Sequence, residues 1–191
     1  MSRKTLNIKN MVCSCCIRVL SEDLLKNGII PIRVQLGEIE IDYDSEKISD
    51  IVINEIIKNA GFEIISDRSS IICEQIKLAV IELIHYANNV NSIIRKSDYL
   101  VEKMGMTYQQ ISKTFSKHEN ITLEKYIILH KIERTKELLI SNEYTLSEIA
   151  FIMDFSSVHH LSNTFKKTAG VSVSEFKKVP LLYKKSIDSL A

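Results

Sequence analysis

The sequence holds few of the residues on which several classes of enzyme depend. It has five glycines, two prolines and no tryptophan. Each glycine falls where the pattern predicts a turn, so none remains for a loop that cradles phosphate, and neither a P-loop nor a Gly-x-Gly-x-x-Gly motif occurs. A Ser/His/Asp order and a His-Glu-x-x-His motif are also absent from the sequence. We therefore expect a protein that is not an enzyme.

Long apolar runs are missing as well. No stretch approaches the ~18–20 apolar residues that cross a bilayer, and the N-terminal MSRKTLNIKN leads into alternation rather than the apolar core of a signal peptide. We therefore expect a cytoplasmic protein with no membrane partner. In that reducing compartment, clustered cysteines indicate metal binding or redox chemistry and not a structural disulfide.

The first 65 residues alternate between strand-like and helix-like hydrophobic spacing. A short strand with Leu6 and Ile8 is followed by a helix that ends at Gly28. Alternating runs on either side of Gly37 predict a hairpin, and a helix from about Ser45 precedes a last strand. The order βαββαβ is that of the α+β ferredoxin-like motif. The residues expected to be buried in the hairpin and second helix are Ile30, Ile32, Val34, Leu36, Ile39, Ile41, Tyr43, Ile48, Val52 and Ile56.

Three of the four cysteines lie within residues 13–16, in the first strand-to-helix loop. This order, with Met11-x-Cys13-x-x-Cys16, resembles the heavy-metal-associated domain of copper chaperones and metal-pumping ATPases, over residues 3–66. Two soft thiolates favour Cu(I), whereas a closed zinc site requires four ligands. The resemblance implies that Cys13 and Cys16 hold Cu(I), in preference to Zn, with Met11 beneath the loop.

Two departures from that family affect the cysteine loop. Asn10 stands where the family has glycine, and Cys15 is an extra thiol that is either a third ligand or a disulfide partner. The competing interpretation is a retained fold with idle thiols, and we favour metal binding. The fourth cysteine, Cys73, is expected to be a buried small hydrophobe.

The last hundred residues contain an internal repeat. Residues 111–126 and 161–176 correspond at a constant offset of 50, and position 120/170 holds Asn and Gly, which tolerate a left-handed turn. In the first copy Thr107 caps a helix with Ile111 and Phe115 inward. In the second, a capping box at Thr145-x-x-Glu148 precedes a turn, and Ser156 or Ser157 caps a helix with Leu161 and Phe165 inward. Each copy is a predicted helix-turn-helix, and one helix over 122–140 connects them.

Two such units on one connecting helix resemble the DNA-binding domain of AraC-type transcription regulators, over about residues 72–178. The departures are Val101 for alanine, Asp154 for the second turn glycine and Val173 for proline. The resemblance implies that both recognition helices enter successive major grooves. The expected base contacts are Gln109, Ser112, Lys113, Val158, His159 and Asn163, and the expected phosphate contacts are Lys166 and Lys167. Tyr108 shares the outward face of the first recognition helix, and His85, His118 and His130 receive no role.

The predicted fold is thus two domains, the ferredoxin-like α+β domain followed by an all-α double helix-turn-helix domain. We place the first domain at 1–66, a short linker at 67–71, the DNA-binding domain at 72–180 and a basic tail at 181–191. The helix predicted over 71–88 carries an apolar stripe through Ile76, Val80 and Ala87. That stripe either transmits a signal between the domains or forms a homodimer.

These patterns predict a transcription regulator whose partners are double-stranded DNA, the transcription machinery and a soft metal ion. The alternatives are a metal-transfer module tethered to a DNA-binding domain, and a regulator in which Cys16 pairs with Cys13 or Cys15 on oxidation.

Overall fold

The structure, a computed structural model, describes residues 2–86, 96–185, 187 and 190. The chain forms two compact units, Met1–Leu78 and Ala79–Ala191. The division between these units falls inside a helix, whereas the boundary at residue 66 predicted from family resemblance falls before that helix.

The first unit contains a four-stranded antiparallel sheet and two helices in the predicted βαββαβ order. Strand β1 lies in the middle of the sheet, whose order is β2-β3-β1-β4, and it pairs with β3 from Ser2↔Tyr43 to Asn7↔Glu38. The elements are β1 (Ser2–Lys9), α1 (Ser14–Lys26), β2 (Ile30–Gln35), β3 (Glu38–Tyr43), α2 (Asp50–Asn59) and β4 (Glu63–Ile65).

One apolar core joins both helices to alternate residues of the central strands. Leu6 and Ile8 of β1 are buried in the same cluster as residues of α1 and α2. Burial of a Leu or Ile side chain contributes roughly 1.5–3 kcal/mol, so this cluster is what holds the sheet and helices as one body. Its remaining fully buried members are Met11, Leu20, Leu24, Ile29, Ile39, Ile41, Ile53 and Ile57.

The predicted start of the second helix is wrong, and its predicted inward face is only partly right: Ile56 and, just before the helix, Ile48 pack against the core as expected, but Val52 does not. Helix α2 begins at Asp50, because Ser49 caps it and Asp44 accepts the backbone N–H groups of Lys47 and Ile48 in a separate turn. The buried residues of α2 are therefore Ile53 and Ile57, and Val52 is 41% exposed. Ile51, Val52 and Ile53 are consecutive apolar residues that lie on neighbouring faces of the helix. The residue at which α2 begins determines which of these faces packs against the core.

The strict alternation expected along the first hairpin strand is also wrong. Strand β2 is the edge of the sheet, and its register against β3 shifts between Pro31 and Arg33. A bulge of this kind changes the face to which the following side chains point. Ile30 and Ile32, which come before Arg33, are each 44% exposed and Ile29 is buried instead, whereas Val34 and Leu36, beyond the shift, pack against the core as expected.

The second unit is helical in its described part. Helix α6 packs against α5, α7 and α8 and against the π-helical turn that extends α3. Because α3 begins at Arg68, most of the linker predicted over 67–71 is the first turn of a helix. The elements are α3 (Arg68–Ile81) with the π-helical turn Glu82–Tyr86, α4 (Lys96–Met104), α5 (Tyr108–His118), α6 (Leu123–Ser141), α7 (Leu146–Ile152), α8 (Val158–Ala169), α9 (Val173–Lys178) and α10 (Pro180–Tyr183).

The apolar stripe of the helix predicted over 71–88 is not spare surface. Ile76, Val80 and Leu83 are buried within the chain, which removes the argument for a homodimer through them. Cys73 is buried as expected. Ala87 lies outside the described residues. None of the helices in the described ranges is both long and apolar enough to cross a bilayer.

Candidate nucleic-acid interface and cysteine loop

The cysteine loop joins β1 to α1. Asn10 has a φ of +72°, a left-handed conformation that asparagine tolerates better than most residues. Met11 is fully buried in the core beneath the loop. Cys13 is the residue that precedes α1, and its Sγ lies 3.6 Å from the Sγ of Cys16. The structure thus brings together the two thiols chosen from the sequence.

The two thiols differ in acidity. Partial burial alone would raise the pKa of the Cys13 thiol, but hydrogen bonds from Cys16 and from the backbone of Cys15 hold that pKa below its ordinary value. Burial raises the pKa of the Cys16 thiol, and the adjacent Cys13 sulfur adds to this effect. Cys13 is therefore the thiol that ionises first, and ionised thiols are both metal ligands and nucleophiles.

The donor set of the loop fits a soft ion of low coordination number. Cys15 is exposed, and the described residues contain no group of three or more His, Cys, Asp or Glu side chains placed to hold a metal. A closed zinc site requires four ligands, whereas paired thiolates suit Cu(I). The residues that would hold such an ion are Cys13 and Cys16.

The first helix-turn-helix places its recognition helix, α5, as the sequence predicts. Gly105 makes the turn with a φ of +61°, and Thr107 and Gln110 form a capping box. Ile111 and Phe115 are buried, which fixes the opposite face toward solvent. On that face, Gln109 and Lys113 are exposed and Ser112 is half-buried.

Tyr108 is held against the neighbouring helix instead of belonging to the free face of α5. Its hydroxyl donates to Glu124 at the start of α6 over 3.3 Å. Burial and the Glu124 carboxylate raise the pKa of Tyr108 to about 12. This contact docks the beginning of the recognition helix onto α6.

The second helix-turn-helix has the same construction. Thr145 and Glu148 form the predicted capping box of α7, and Ser157 is the residue that caps the recognition helix α8. Asp154 takes the turn with a φ of +53°, so it occupies the conformation of the missing glycine. Leu161 and Phe165 are buried on the inner side of α8.

The outer face of α8 is partly organised by its own hydrogen bonds. Asn163 Nδ2 donates to His159 Nε2 over 2.9 Å, and both residues are exposed. Val158 is half-buried against the core, so less of it is available for a base than the sequence implied. Lys166 and Lys167 are exposed in the last turn of α8, where lysines can reach phosphates.

Two histidines for which the sequence predicts no role, His85 and His130, lie in contact in the second unit. His85 Nε2 lies 3.1 Å from His130 Nδ1, and the Tyr126 and His130 ring centroids are 4.4 Å apart. The nearby imidazole of His85 and the Arg134 guanidinium lower the pKa of Glu137 to about 2, against the effect of burial. His85 and His130 are 45 positions apart in sequence, and no local pattern predicts their contact.

The comparisons with known proteins agree with this geometry. Residues 100–178 match a helix-turn-helix domain family. The xylose operon regulatory protein of Escherichia coli K12 is 27% identical over 101 residues, which is 53% of this chain and 26% of that protein. The Msm operon regulatory protein of Streptococcus mutans is 29% identical over 101 residues, 49% of this chain and 36% of that protein.

A third relative is covered almost completely. An uncharacterized protein of Haemophilus influenzae is 36% identical over 61 residues, which is 31% of this chain and 90% of that protein. No solved structure matches the chain significantly. By contrast with this small protein, the chain spans only about a quarter to a third of the length of the two operon regulators. The chain therefore belongs to the same family as the Haemophilus influenzae protein, and its C-terminal part is an AraC-type helix-turn-helix domain.

Proposed function

We propose that the protein is a cytoplasmic DNA-binding transcription regulator that responds to a soft metal ion, with Cu(I) preferred. The observation that carries the DNA-binding part is the pair of capped recognition helices, α5 and α8, which both pack on α6 with a polar outer face. The two named relatives are operon regulators, which supports the same conclusion.

The outer faces of α5 and α8 carry the chemistry of direct base readout. Gln109 and Asn163 have amides that can bind adenine through two hydrogen bonds, and Lys113 can reach the acceptors of guanine. His159 is positioned by Asn163 and donates or accepts according to its tautomer. Ser112 and Val158 are half-buried and add short-range contacts, Val158 to a thymine methyl group. Lys166 and Lys167 bind phosphate, which makes the affinity dependent on salt.

The metal-responsive part of the proposal rests on the cysteine loop. We propose that the sheet order β2-β3-β1-β4 with two helices is a ferredoxin-like, heavy-metal-associated domain. The thiolates of Cys13 and Cys16 would hold a soft ion, and the loop that carries them would then be fixed. The chain supplies a preformed pair of sulfurs, one thiol of lowered pKa and a buried methionine beneath the loop.

A second candidate for the signal is thiol oxidation. The lowered pKa of Cys13 and its 3.6 Å separation from the Cys16 sulfur favour it. In that reaction the Cys13 thiolate and the Cys16 thiol together lose two electrons and one proton to hydrogen peroxide, whose O–O bond breaks to give one water and one hydroxide ion, and one S–S bond forms.

The test is the affinity of the purified protein for a duplex selected from a random pool, measured by fluorescence anisotropy at two salt concentrations. Apo, Cu(I)-loaded and Zn(II)-loaded protein are compared with Cys13→Ser/Cys16→Ser. Cys15→Ser is the control that leaves the pair intact, and loss of the Cu(I) response in it would identify the exposed Cys15 as a third ligand. We expect salt-sensitive binding that Cu(I) changes in the control and leaves unchanged in the double variant.

Three results decide between the parts of the proposal. Failure of the selection to yield any bound duplex would overturn DNA binding. Equal Cu(I) affinity for wild type and Cys13→Ser/Cys16→Ser would overturn the metal site. A DNA affinity that responds to peroxide in reducing-agent-free buffer, with disulfide-linked Cys13 and Cys16 found by thiol trapping and mass spectrometry, would establish the oxidation switch instead.

A further inference from the structure

The residue before the metal-binding motif is tied to helix α3. The backbone N–H of Asn10 donates to Glu74 Oε1 over 2.9 Å, across 64 positions of sequence. Asn10 stands immediately before Met11 and three positions before Cys13. Its φ of +72° sets the direction of that N–H group and so is part of the contact.

The acceptor of this bond is a buried charge. Glu74 is only 4% exposed, and its second oxygen, Oε2, lies 3.4 Å from Lys77 Nζ. A buried carboxylate is tolerated only when its oxygens are hydrogen-bonded or paired. The Asn10 N–H is therefore one of the groups that keep this part of α3 in place.

A second close approach, also inside the first unit, brings the same helix against the turn between β2 and β3. A Cβ atom built on Gly37, in the turn between β2 and β3, would lie 2.8 Å from Leu78 Cδ1. The Gly37 carbonyl in turn accepts the backbone N–H of Ile8 near the end of β1. Helix α3 thus lies against the end of the sheet from which the cysteine loop emerges, and it continues to Ile81, in the second compact unit.

We propose that Glu74 is a positioning residue that couples the state of the cysteine loop to helix α3. Closure of Cys13 and Cys16 on a soft ion fixes the loop and thereby the Asn10 N–H, which changes the strength of its bond to Glu74. Helix α3 carries that change toward the DNA-binding unit. The inference rests on the proposed metal response and names the residue through which it acts.

Thermodynamic linkage makes this proposal quantitative. If metal changes DNA affinity by a given factor, DNA changes metal affinity by the same factor, and couplings of this kind are typically about 5–150-fold. Removal of the Glu74 charge weakens its bond to the Asn10 N–H both with and without bound metal. The factor by which metal changes DNA affinity therefore falls toward one. DNA affinity of the apo protein need not change.

The experiment compares wild type with Glu74→Gln, which keeps the size of the side chain. Each is titrated with a selected duplex, with and without bound Cu(I), and the ratio of the two DNA dissociation constants is the coupling factor. The matched control is Glu133→Gln. Glu133 is an equally buried member of an i,i+3 pair with Lys136, in the second unit and bonded to residues other than the loop.

We expect at least about a fivefold coupling factor in wild type and Glu133→Gln, and less than about twofold in Glu74→Gln. The ¹H–¹⁵N resonance of Asn10 is the independent readout. It should shift on Cu(I) binding in wild type, and in apo Glu74→Gln it should already lie away from its wild-type position. Glu74→Gln/Lys77→Met removes both charges and replaces the single variant if that one does not fold.

The outcomes separate the two proposals. If Cu(I) does not change the DNA affinity of the wild-type protein, the proposed metal response is wrong. A wild type that responds, with an undiminished coupling factor in Glu74→Gln, would leave the metal response standing and overturn the role of Glu74. The same conclusion follows if Glu133→Gln loses the coupling as completely as Glu74→Gln.

Discussion

Three non-glycine residues among those the structure describes hold a left-handed backbone conformation. They are Asn10 before the cysteine motif, Asn142 at the end of α6 and Asp154 in the second helix-turn-helix. Asparagine and aspartate adopt this conformation at lower cost than other residues because their short polar side chains hydrogen-bond locally. All three positions change the direction of the chain next to a proposed functional element.

Replacement of Asp154 by glycine should stabilise the protein. Its φ of +53° is free of strain for glycine, and its side chain is exposed, so we expect the free energy of unfolding to rise by about 0.5–1 kcal/mol. Equilibrium urea denaturation measures the change. Gly105→Ala, in the equivalent turn, should lower stability by about 1 kcal/mol, and since no atom lies within 4 Å of the added Cβ, that loss comes from the backbone alone.

A loss of stability in Asp154→Gly would contradict this account. It would mean that the 3.8 Å ion pair between Asp154 Oδ2 and Lys131 outweighs the backbone strain. Exposed pairs of this kind usually contribute about 0–1 kcal/mol.

Helix caps were predictable from the sequence because they depend on residues that are close together along the chain. The predicted cap at Thr107 and the predicted capping box at Thr145 are confirmed, because a cap depends on residues three positions apart. The same reasoning failed at Asn120, which was expected in the left-handed turn that Gly170 adopts. Helix α5 instead ends at His118, and the next residue, Glu119, is extended with a φ of −106°, so the repeat is not exact at its helix ends.

At the scale of elements, helix α6 organises the second unit through buried polar groups. Lys136 Nζ donates to Glu133 Oε1 over 2.5 Å and to the Tyr183 carbonyl over 2.6 Å. Glu133 Oε2 accepts the backbone N–H of Lys185. The segment predicted as a basic tail is therefore bonded to α6 at residues 183 and 185.

We expect Lys136→Met to cost about 3–5 kcal/mol of unfolding free energy, because it leaves the buried Glu133 carboxylate without its cation. Glu133→Leu/Lys136→Met removes both charges and should recover most of that loss. Lys125→Met, on the exposed side of the same helix, should stay within about 0.5 kcal/mol of wild type. Thermal and urea unfolding of the three variants measure the differences, and a single variant no less stable than the double one would disprove the pairing.

The extent of α6 was predictable, whereas its buried polar residues were not. The sequence predicts a helix over 122–140, and the structure has Leu123–Ser141 with Tyr126, Ile132 and Leu139 buried. His130, Glu133 and Lys136 are buried with them, because their partners come from the π-helical turn and from residues 183–185. Such partners depend on the tertiary fold and leave no periodic signal.

The same distinction applies to the first unit as a whole. The order of strands and helices follows from local hydrophobic spacing and was predicted, and the choice of Cys13 and Cys16 came from the family resemblance. The bulge in β2 and the starting residue of α2 depend on competition between neighbouring registers, and there the predictions were wrong. The bond from Asn10 to Glu74 joins residues 64 positions apart and was absent from every sequence pattern.

At the scale of the whole molecule, the two recognition helices are held by one rigid element. Helix α6 has 19 residues, and a helix of that length is about 28 Å long. Both α5 and α8 pack directly against it. Their spacing is therefore set by the fold, unlike that of two DNA-binding domains joined by a flexible linker.

This construction predicts how the protein responds to the spacing of its DNA half-sites. In a selected duplex, insertion of 5 base pairs between the half-sites moves one of them to the opposite face of the DNA, and insertion of 10 restores the face but adds about 34 Å. Because α6 fixes the distance between α5 and α8, we expect both insertions to reduce DNA affinity tenfold or more. The affinity should fall to that of Gln109→Ala/Lys113→Ala, a variant that reads bases through α8 alone, on the unaltered duplex.

Fluorescence anisotropy measures each DNA affinity, and the wild-type protein on the unaltered duplex is the reference. Recovery of affinity at 10 but not at 5 base pairs would show that α5 and α8 move independently, which the packing of both helices on α6 excludes.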